Sequence, residues 1–258
     1  MTAPLIIPRR TFIADLGRGA FALALLSFAG CGPSSGASSD RPAPSSGGPG
    51  ASAPPASAGG GGDGDVVTWE RVNLGFVSAY ILARGGEAAI VDTGVAGSID
   101  AIEASLTGVG LDWSGVGHLI LTHKHGDHMG SAADVLERAP GATAYAGQED
   151  IAEIGLPLTA VADGDDVFGL TIITTPGHTP GSVSVLDPVG GVLVAGDALR
   201  TDGGMPGLPN AGFTEDMDLA RRSVITLGGL SFETLLVGHG DPIEGGASAL
   251  VAELGAGA

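Results

Sequence analysis

The stretch Thr122-His123-Lys124-His125-Gly126-Asp127-His128-Met129-Gly130 packs three imidazoles and a carboxylate into six positions, directly after the apolar run Leu119-Ile120-Leu121. Neutral imidazole and carboxylate are ligands that suit zinc or iron. Two of them one residue apart face one ion only where the backbone is extended. In a helix the neighbours on one face lie three or four positions apart, whereas in a strand i and i+2 share a side. His123 and His125 therefore belong where a strand ends and turns into a loop. Asp127 and His128 then point elsewhere, toward a second ion.

Four further segments carry the same kinds of group: Val91-Asp92-Thr93-Gly94, Thr175-Pro176-Gly177-His178-Thr179-Pro180-Gly181-Ser182, Ala195-Gly196-Asp197 and Val237-Gly238-His239-Gly240. With His-x-His-x-Asp-His at 123–128, these resemble the motifs of the metallo-β-lactamase superfamily, in the family's order over roughly residues 66–258. The chain has six histidines, and five fall on the family's ligand positions, which chance placement explains poorly. The resemblance implies an α/β fold, a four-layer αβ/βα sandwich with its ligands on loops at one rim. It assigns His123, His125 and His178 to a first metal and Asp127, His128 and His239 to a second, with Asp197 bridging. Asp92 is expected to support the ligands by hydrogen bonding. The implied cofactor is a pair of Zn2+ ions per chain, with iron or manganese as alternatives, and water activated between them attacks the substrate. Asp127 is the residue expected to shuttle a proton to the departing group. His118 matches no motif and reads as structural. Asp163-Gly164-Asp165-Asp166 lacks the spacing and closing Glu of a calcium loop and reads as a turn.

The first quarter of the chain does not read as fold. Arg9-Arg10-Thr11-Phe12-Ile13 resembles a twin-arginine export motif, and the apolar segment 19–29 is shorter than the about 20 residues a bilayer span requires but suits a signal peptide. Phe28-Ala29-Gly30-Cys31 resembles a lipobox, with Phe28 where leucine is usual, so Cys31 is the expected site of acylation and membrane anchoring. Gly32 rather than aspartate after the cysteine favours the outer membrane. Residues 1–31 are thus expected to be a lipoprotein signal. Residues 32–65 are almost wholly Gly, Ser, Ala and Pro, which cannot offset the entropy of ordering. They are expected to form a disordered tether reaching about 30 Å, leaving 66–258 as the catalytic domain. Cys31 is the only cysteine, which excludes disulfides and cysteine-rich metal sites.

Within that domain, strands are expected at 66–72 and 76–82 around a turn at Asn73-Leu74-Gly75, and at 88–92, 118–121, 143–146, 170–175, 183–186, 192–195 and 234–237. Helices are expected at 98–106 with Ser98 as N-cap, at 129–139 stopped by Pro140, and at 217–227 and 246–254. Residues 200–215, rich in Gly and Pro, are the expected substrate-facing loop.

The formal net charge of −18 repels phosphate backbones, which disfavours nucleic acid as a partner and the family's nuclease branches with it. Zinc β-lactamases carry Cys or Ser near the position of Asp197, which argues against penicillin-type hydrolysis. Flavodiiron proteins carry Glu where His125 stands. Glyoxalase II shares the metal motifs but adds a helical glutathione-binding domain, for which little chain follows His239 and few basic residues remain. Lactonases share the ligands too, yet neither Tyr80 nor Tyr145 can be assigned their substrate-positioning role. The reading is a zinc-dependent hydrolase of a small ester, thioester, lactone or related substrate. The alternatives are a mononuclear iron persulfide dioxygenase, a β-lactam hydrolase, and a metal-binding lipoprotein without turnover.

Overall fold

The computed structural model describes residues 66–258. The export signal, Cys31 and the tether lie outside the described residues. One six-stranded sheet is built from β1 (Thr68–Asn73), β2 (Ser78–Arg84), β3 (Glu87–Val91), β4 (Val116–Leu121), β5 (Thr143–Gly147) and β6 (Thr159–Val161), in that order. The next strands are β7 (Asp166–Val167), β8 (Leu170–Thr174), β9 (Val183–Asp187) and β10 (Val192–Val194), followed by the separate hairpin β11 (Arg200–Asp202) and β12 (Met205–Gly207). With β13 (Thr234–Leu236) and β14 (Ile243–Glu244) they form a second six-stranded sheet of order β14-β13-β10-β9-β8-β7. Six α-helices complete the described residues: α1 (Ile99–Gly108), α2 (Gly126–Met129), α3 (Ala132–Arg138), α4 (Ile151–Ile154), α5 (Met217–Gly228) and α6 (Ala247–Ala256).

The layers follow from the side-chain alternation of the strands. On β2, Tyr80 and Leu82 face the second sheet, where they meet Leu170, Ile172, Val185 and Val194. Ile81 between them faces the other way, onto Ile102 and Leu106 of α1 and Val135 of α3. On β10, Val192 and Val194 join the central layer, while Leu193 packs with Val224 and Leu227 of α5 and Val251 of α6. Strands buried on both faces read as continuous apolar runs. The result is the expected four-layer sandwich of helices, sheet, sheet, helices. No helix among the described residues is long and apolar enough to cross a membrane.

Two local expectations need correction. The helix expected at 129–139 is two, α2 and α3, broken at Gly130-Ser131. There the chain is pinned to the loop after β3: Gly130 N donates to Gly94 O at 2.8 Å and Ser131 Oγ to Val95 O at 2.7 Å. A Cβ on Gly130 would lie 2.4 Å from Ala96 N, so only glycine allows this approach. Ser98 stands at the N-cap of α1, but its hydroxyl donates to Val95 O rather than accepting from the helix. His118, in the strand expected at 118–121, lies within β4 beside Tyr145 and Phe168.

Strands β3, β4 and β5 run parallel, as do β10 and β13, and β8 shares their direction through two antiparallel steps. Val183 N donates to Thr122 O at 2.8 Å, joining the two sheets at the end of β4 and the start of β9, which pairs with the end of β8. Every loop that carries a motif therefore leaves a strand at its C-terminal end, on one rim.

Candidate metal centre

All seven sequence-assigned residues converge there. The ring nitrogens of His123 (Nε2) and His178 (Nε2) lie 3.1 and 2.9 Å from Nδ1 of His125. Asp197 sets one oxygen 3.2 Å from His128 Nε2 and the other 3.3 Å from both His178 Nε2 and His239 Nε2. Asp127 Oδ2 lies 3.3 Å from His239 Nε2. Three groups could each hold a cation: His123, His125 and His178; His123, His128 and Asp197; Asp127, His128 and His239. In place of capping the turn Gly196–Ala198, Asp197 faces three histidines.

The strand-to-loop geometry inferred from spacing is present. β4 ends at Leu121, His123 and His125 lie on the extended connection, and Asp127 and His128 are on the single turn of α2 that follows. His125 occupies its N-cap position with φ −67° and ψ 143°.

Hydrogen bonding on the outer side fixes which nitrogen each ring presents. Thr122 Oγ1 lies 2.7 Å from Asp92 Oδ2, a carboxylate that can only accept, so its single proton is committed there and it accepts from His123 Nδ1 at 3.1 Å. Thr214 Oγ1 donates to Asn210 O at 2.8 Å and by the same logic accepts from His178 Nδ1 at 3.1 Å. His128 Nδ1 donates to Asp92 Oδ2 at 2.8 Å, and His239 Nδ1 to the carbonyl of Phe76 at 2.7 Å. Four rings are thus held with Nδ1–H outward and Nε2 facing inward, the arrangement that orients histidine for a metal. Only His125 presents Nδ1 to the cluster. Asp92 also accepts from Thr122 N at 2.8 Å, and φ at Asp92 is +62°, a left-handed conformation that aspartate tolerates better than most residues.

Some supporting residues carry no motif in the sequence. Asp150 is fully buried, and its carboxylate accepts from Lys124 N (3.0 Å), Thr179 Oγ1 (2.6 Å) and Gly181 N (2.9 Å). One side chain thereby ties the loop of His123 and His125 to the loop of His178. Thr214 and the Phe76 carbonyl were equally invisible; Thr122, adjoining the histidine motif, was the only one whose position hinted at a role. Tyr80 is buried with its hydroxyl donating to Val237 O at 2.8 Å, and burial pushes its pKa up to about 12. It braces the end of β13 beside Gly238, where a Cβ would fall 2.4 Å from both Asp197 Oδ1 and His128 Cε1.

Do these residues fit a metal? Two buried atoms, His128 Nε2 and Asp197 Oδ1, are 3.2 Å apart yet neither has an aligned hydrogen-bond partner. Buried polar atoms are rarely left so. Both belong, with His123, to one group that could hold a cation. A tetrahedral ion with bonds of about 2.0–2.1 Å keeps its ligand atoms about 3.3 Å apart; the closest separations here run from 2.9 to 3.3 Å, and each group lies within 4.8 Å. The electrostatics agree. Burial holds His123 well below its usual pKa and His178 down at about 4, so both offer lone pairs at neutral pH. Burial also opposes charge on His128, but Asp92 and Asp197 outweigh it and raise His128 to about 10. Asp197, although buried, is held well below the usual carboxylate range by His128 and His239, and in turn raises His239. The cluster attracts positive charge to the Asp197 side. The residues fit a cation pair.

A cavity of about 650 Å3 opens over this cluster, walled by Phe76, Asp127, Leu199, Arg200, Pro209 and Phe213 among others. The loop expected to face substrate does line it, through Arg200, Pro209, Asn210 and Phe213. Neither tyrosine does.

Comparison with known proteins agrees with this geometry. The sequence model of the Metallo-beta-lactamase superfamily matches residues 72–239. YobT of Bacillus subtilis (strain 168), an uncharacterized protein, is 29% identical over 196 residues, or 64% of this chain and 83% of YobT. A hydroxyacylglutathione hydrolase of Acidiphilium cryptum (strain JF-5) is 38% identical over 113 residues, covering 42% of this chain and 43% of the enzyme, so the match spans under half of that relative. Among solved structures, a metallo-beta-lactamase family protein from Thermus thermophilus aligns with a TM-score of 0.59 at 25% identity, over 74% of this chain and 78% of that one. The family match takes in well over half of the sequence and every residue of the cluster, and the chain belongs to the metallo-β-lactamase superfamily.

Proposed function

We propose that the protein is a zinc-dependent hydrolase of a small ester, thioester or lactone. The observation that carries this reading is the convergence of five histidines and two aspartates, with His128 Nε2 and Asp197 Oδ1 buried and unpartnered at its centre. His123, His125 and His178 would hold one ion, Asp127, His128 and His239 the other, and Asp197 would touch both. When bound, such ions polarise a carbonyl and lower the pKa of water to about 7. In the reaction water gives its oxygen to the acyl carbon, the acyl–oxygen or acyl–sulfur bond breaks, and the alcohol or thiol leaves with a proton.

The chain's own residues do the rest. The outward Nδ1 bonds keep four rings in place, so little reorganisation is needed during turnover. Asp127 lines the cavity wall, and it is the residue we assign to proton transfer to the departing group. The hydroxyacylglutathione hydrolase similarity supports a thioester among the substrates but extends over only part of that enzyme. The acidity of the chain supports a small-molecule substrate over nucleic acid. Export and anchoring at Cys31 remain part of the proposal on sequence grounds.

The test is metal analysis joined to a panel of ester, thioester, lactone and β-lactam substrates, each with and without chelator. About two zincs per chain with chelator-sensitive hydrolysis is the expected result. A single iron with sulfur-dependent oxygen uptake would replace this reading with a persulfide dioxygenase. Full metal loading without turnover would leave a binding protein.

A further inference from the structure

Of the seven lysine and arginine side chains among the described residues, four are ion-paired. Arg71 is paired with Asp241, Lys124 with Glu153 and Glu215, Arg138 with Glu103 and Arg221 with Asp218. Arg84 lies over the ring of Phe168. Arg200, like Arg222, has no carboxylate partner among the described residues, although acidic residues outnumber basic ones 29 to 11 in the chain. It is the cation on the wall of the cavity. It begins β11 opposite Gly207, where the bare backbone lets the side chain lie across the hairpin, and its Nε donates to Leu208 O at 3.1 Å. That single bond steadies the guanidinium plane and leaves the four N–H groups of its Nη atoms without an acceptor among the described residues. A guanidinium so held matches a carboxylate with two parallel hydrogen bonds.

Two exposed aromatic rings share the same cavity. Phe76 is 63% exposed and Phe213 70% exposed, unusual for side chains of this kind. Each is joined through the backbone to a different part of the cluster. The Phe76 carbonyl accepts from His239, and the Phe76 ring stacks on the imidazole at 6.0 Å. Phe213 immediately precedes Thr214, the partner of His178. An acyl group bound over the centre would therefore have an aromatic face beside it and a fixed cation at the rim.

We propose that the cavity selects substrates carrying an anionic group, a carboxylate held by Arg200, together with an apolar portion packed against Phe76 and Phe213. This rests on the hydrolase reading for turnover, but binding can be tested without it. The binding probes are glutaric acid monoanilide and its neutral counterpart N-phenylpentanamide, titrated by calorimetry into zinc-loaded wild-type, Arg200→Gln and Arg200→Lys proteins. Turnover is compared on the matched p-nitrophenyl esters, the glutarate monoester and the pentanoate. A charge-assisted pair contributes roughly 10–100-fold in affinity. Wild-type should favour the anionic anilide by at least about tenfold, Arg200→Gln should lose that preference, and Arg200→Lys should restore part of it. The ester pair should show the same change in its ratio of kcat/KM, carried by KM. Equal binding of the two anilides by wild-type, or an undiminished preference in Arg200→Gln, overturns the proposal. Arg200-dependent binding without hydrolysis of either ester upholds it and counts against the hydrolase reading alone.

Discussion

At the floor of the centre, His123, His128 and His178 are buried, and each has its outer nitrogen fixed by a hydrogen bond. At the mouth, Phe76, Phe213 and Arg200 stand exposed, and Arg200 has one bond to a backbone carbonyl. The contrast separates two tasks. The floor must hold like-charged and lone-pair atoms closer together than they would choose, which only an over-determined surround can do. The mouth must meet something that arrives from solvent, so its surface is left unsatisfied. If this division is right, floor substitutions change metal content, and mouth substitutions change substrate preference at constant metal.

The largest effect is expected for His123→Ala, because His123 belongs to two of the three candidate groups. Zinc content should fall and hydrolysis should drop by more than the roughly 10–100-fold that changes in supporting residues cost. Metal analysis beside a turnover assay reads this directly. Full zinc occupancy with retained activity would remove His123 from the floor.

Asp92→Asn should come next. An amide has one accepting oxygen and cannot serve both Thr122 N, held on Oδ1, and His128 Nδ1, held on Oδ2, so either the His128 ring or the Thr122 backbone that carries His123 loses its partner. Zinc affinity, measured by chelator competition, should weaken roughly 10–100-fold, and asparagine's tolerance of the left-handed backbone limits the cost to folding. An unchanged affinity would mean that the outward bonds are not what holds the rings.

The floor also predicts a proton. In the metal-free protein His128, raised to about 10 by Asp92 and Asp197 against the effect of burial, is charged at neutral pH. A cation can take its Nε2 only after that proton leaves. Zinc binding near pH 7 should therefore release about one proton or more, with His239, also raised, contributing. Apparent affinity should rise with pH until about 10, and calorimetry in two buffers of different ionisation enthalpy measures the release. A pH-independent affinity would show that His128 is already neutral before the metal arrives.

How much of this was legible in the sequence divides along the same line. The ligands were legible because each motif is local: a strand end, a turn and a polar group within a few residues. The sandwich was legible because strands such as β2 are apolar on both faces. What escaped is held by distant contacts. Asp150 binds three donors from two loops, none of them in its own segment, and Thr214 meets His178 from 36 positions away. The break at Gly130 arises from contact with Val95 and Ala96, not from a poor helical pattern. The strands β6, β7, β11, β12 and β14 have two or three residues each, too short for a period to register.

The smallest effect, and the one that sharpens the contrast most, is expected for Phe213→Ala. The ring is 70% exposed, so its loss should change stability by no more than about 0.5 kcal/mol. Thr214, next in the chain, takes its place from hydrogen bonds to Asn210 and His178 rather than from the Phe213 ring, so zinc content should match wild-type. The apolar contact offered to substrate does disappear, and partial burial of such a ring is worth about 1–2 kcal/mol, which predicts a KM about 5-fold to about 30-fold higher with kcat less affected. Thermal melts, metal analysis and a KM–kcat comparison on one ester separate these terms. A fall in zinc content would show that the mouth supports the floor after all, because the Phe213 ring would then be holding Thr214, and through it His178, in place.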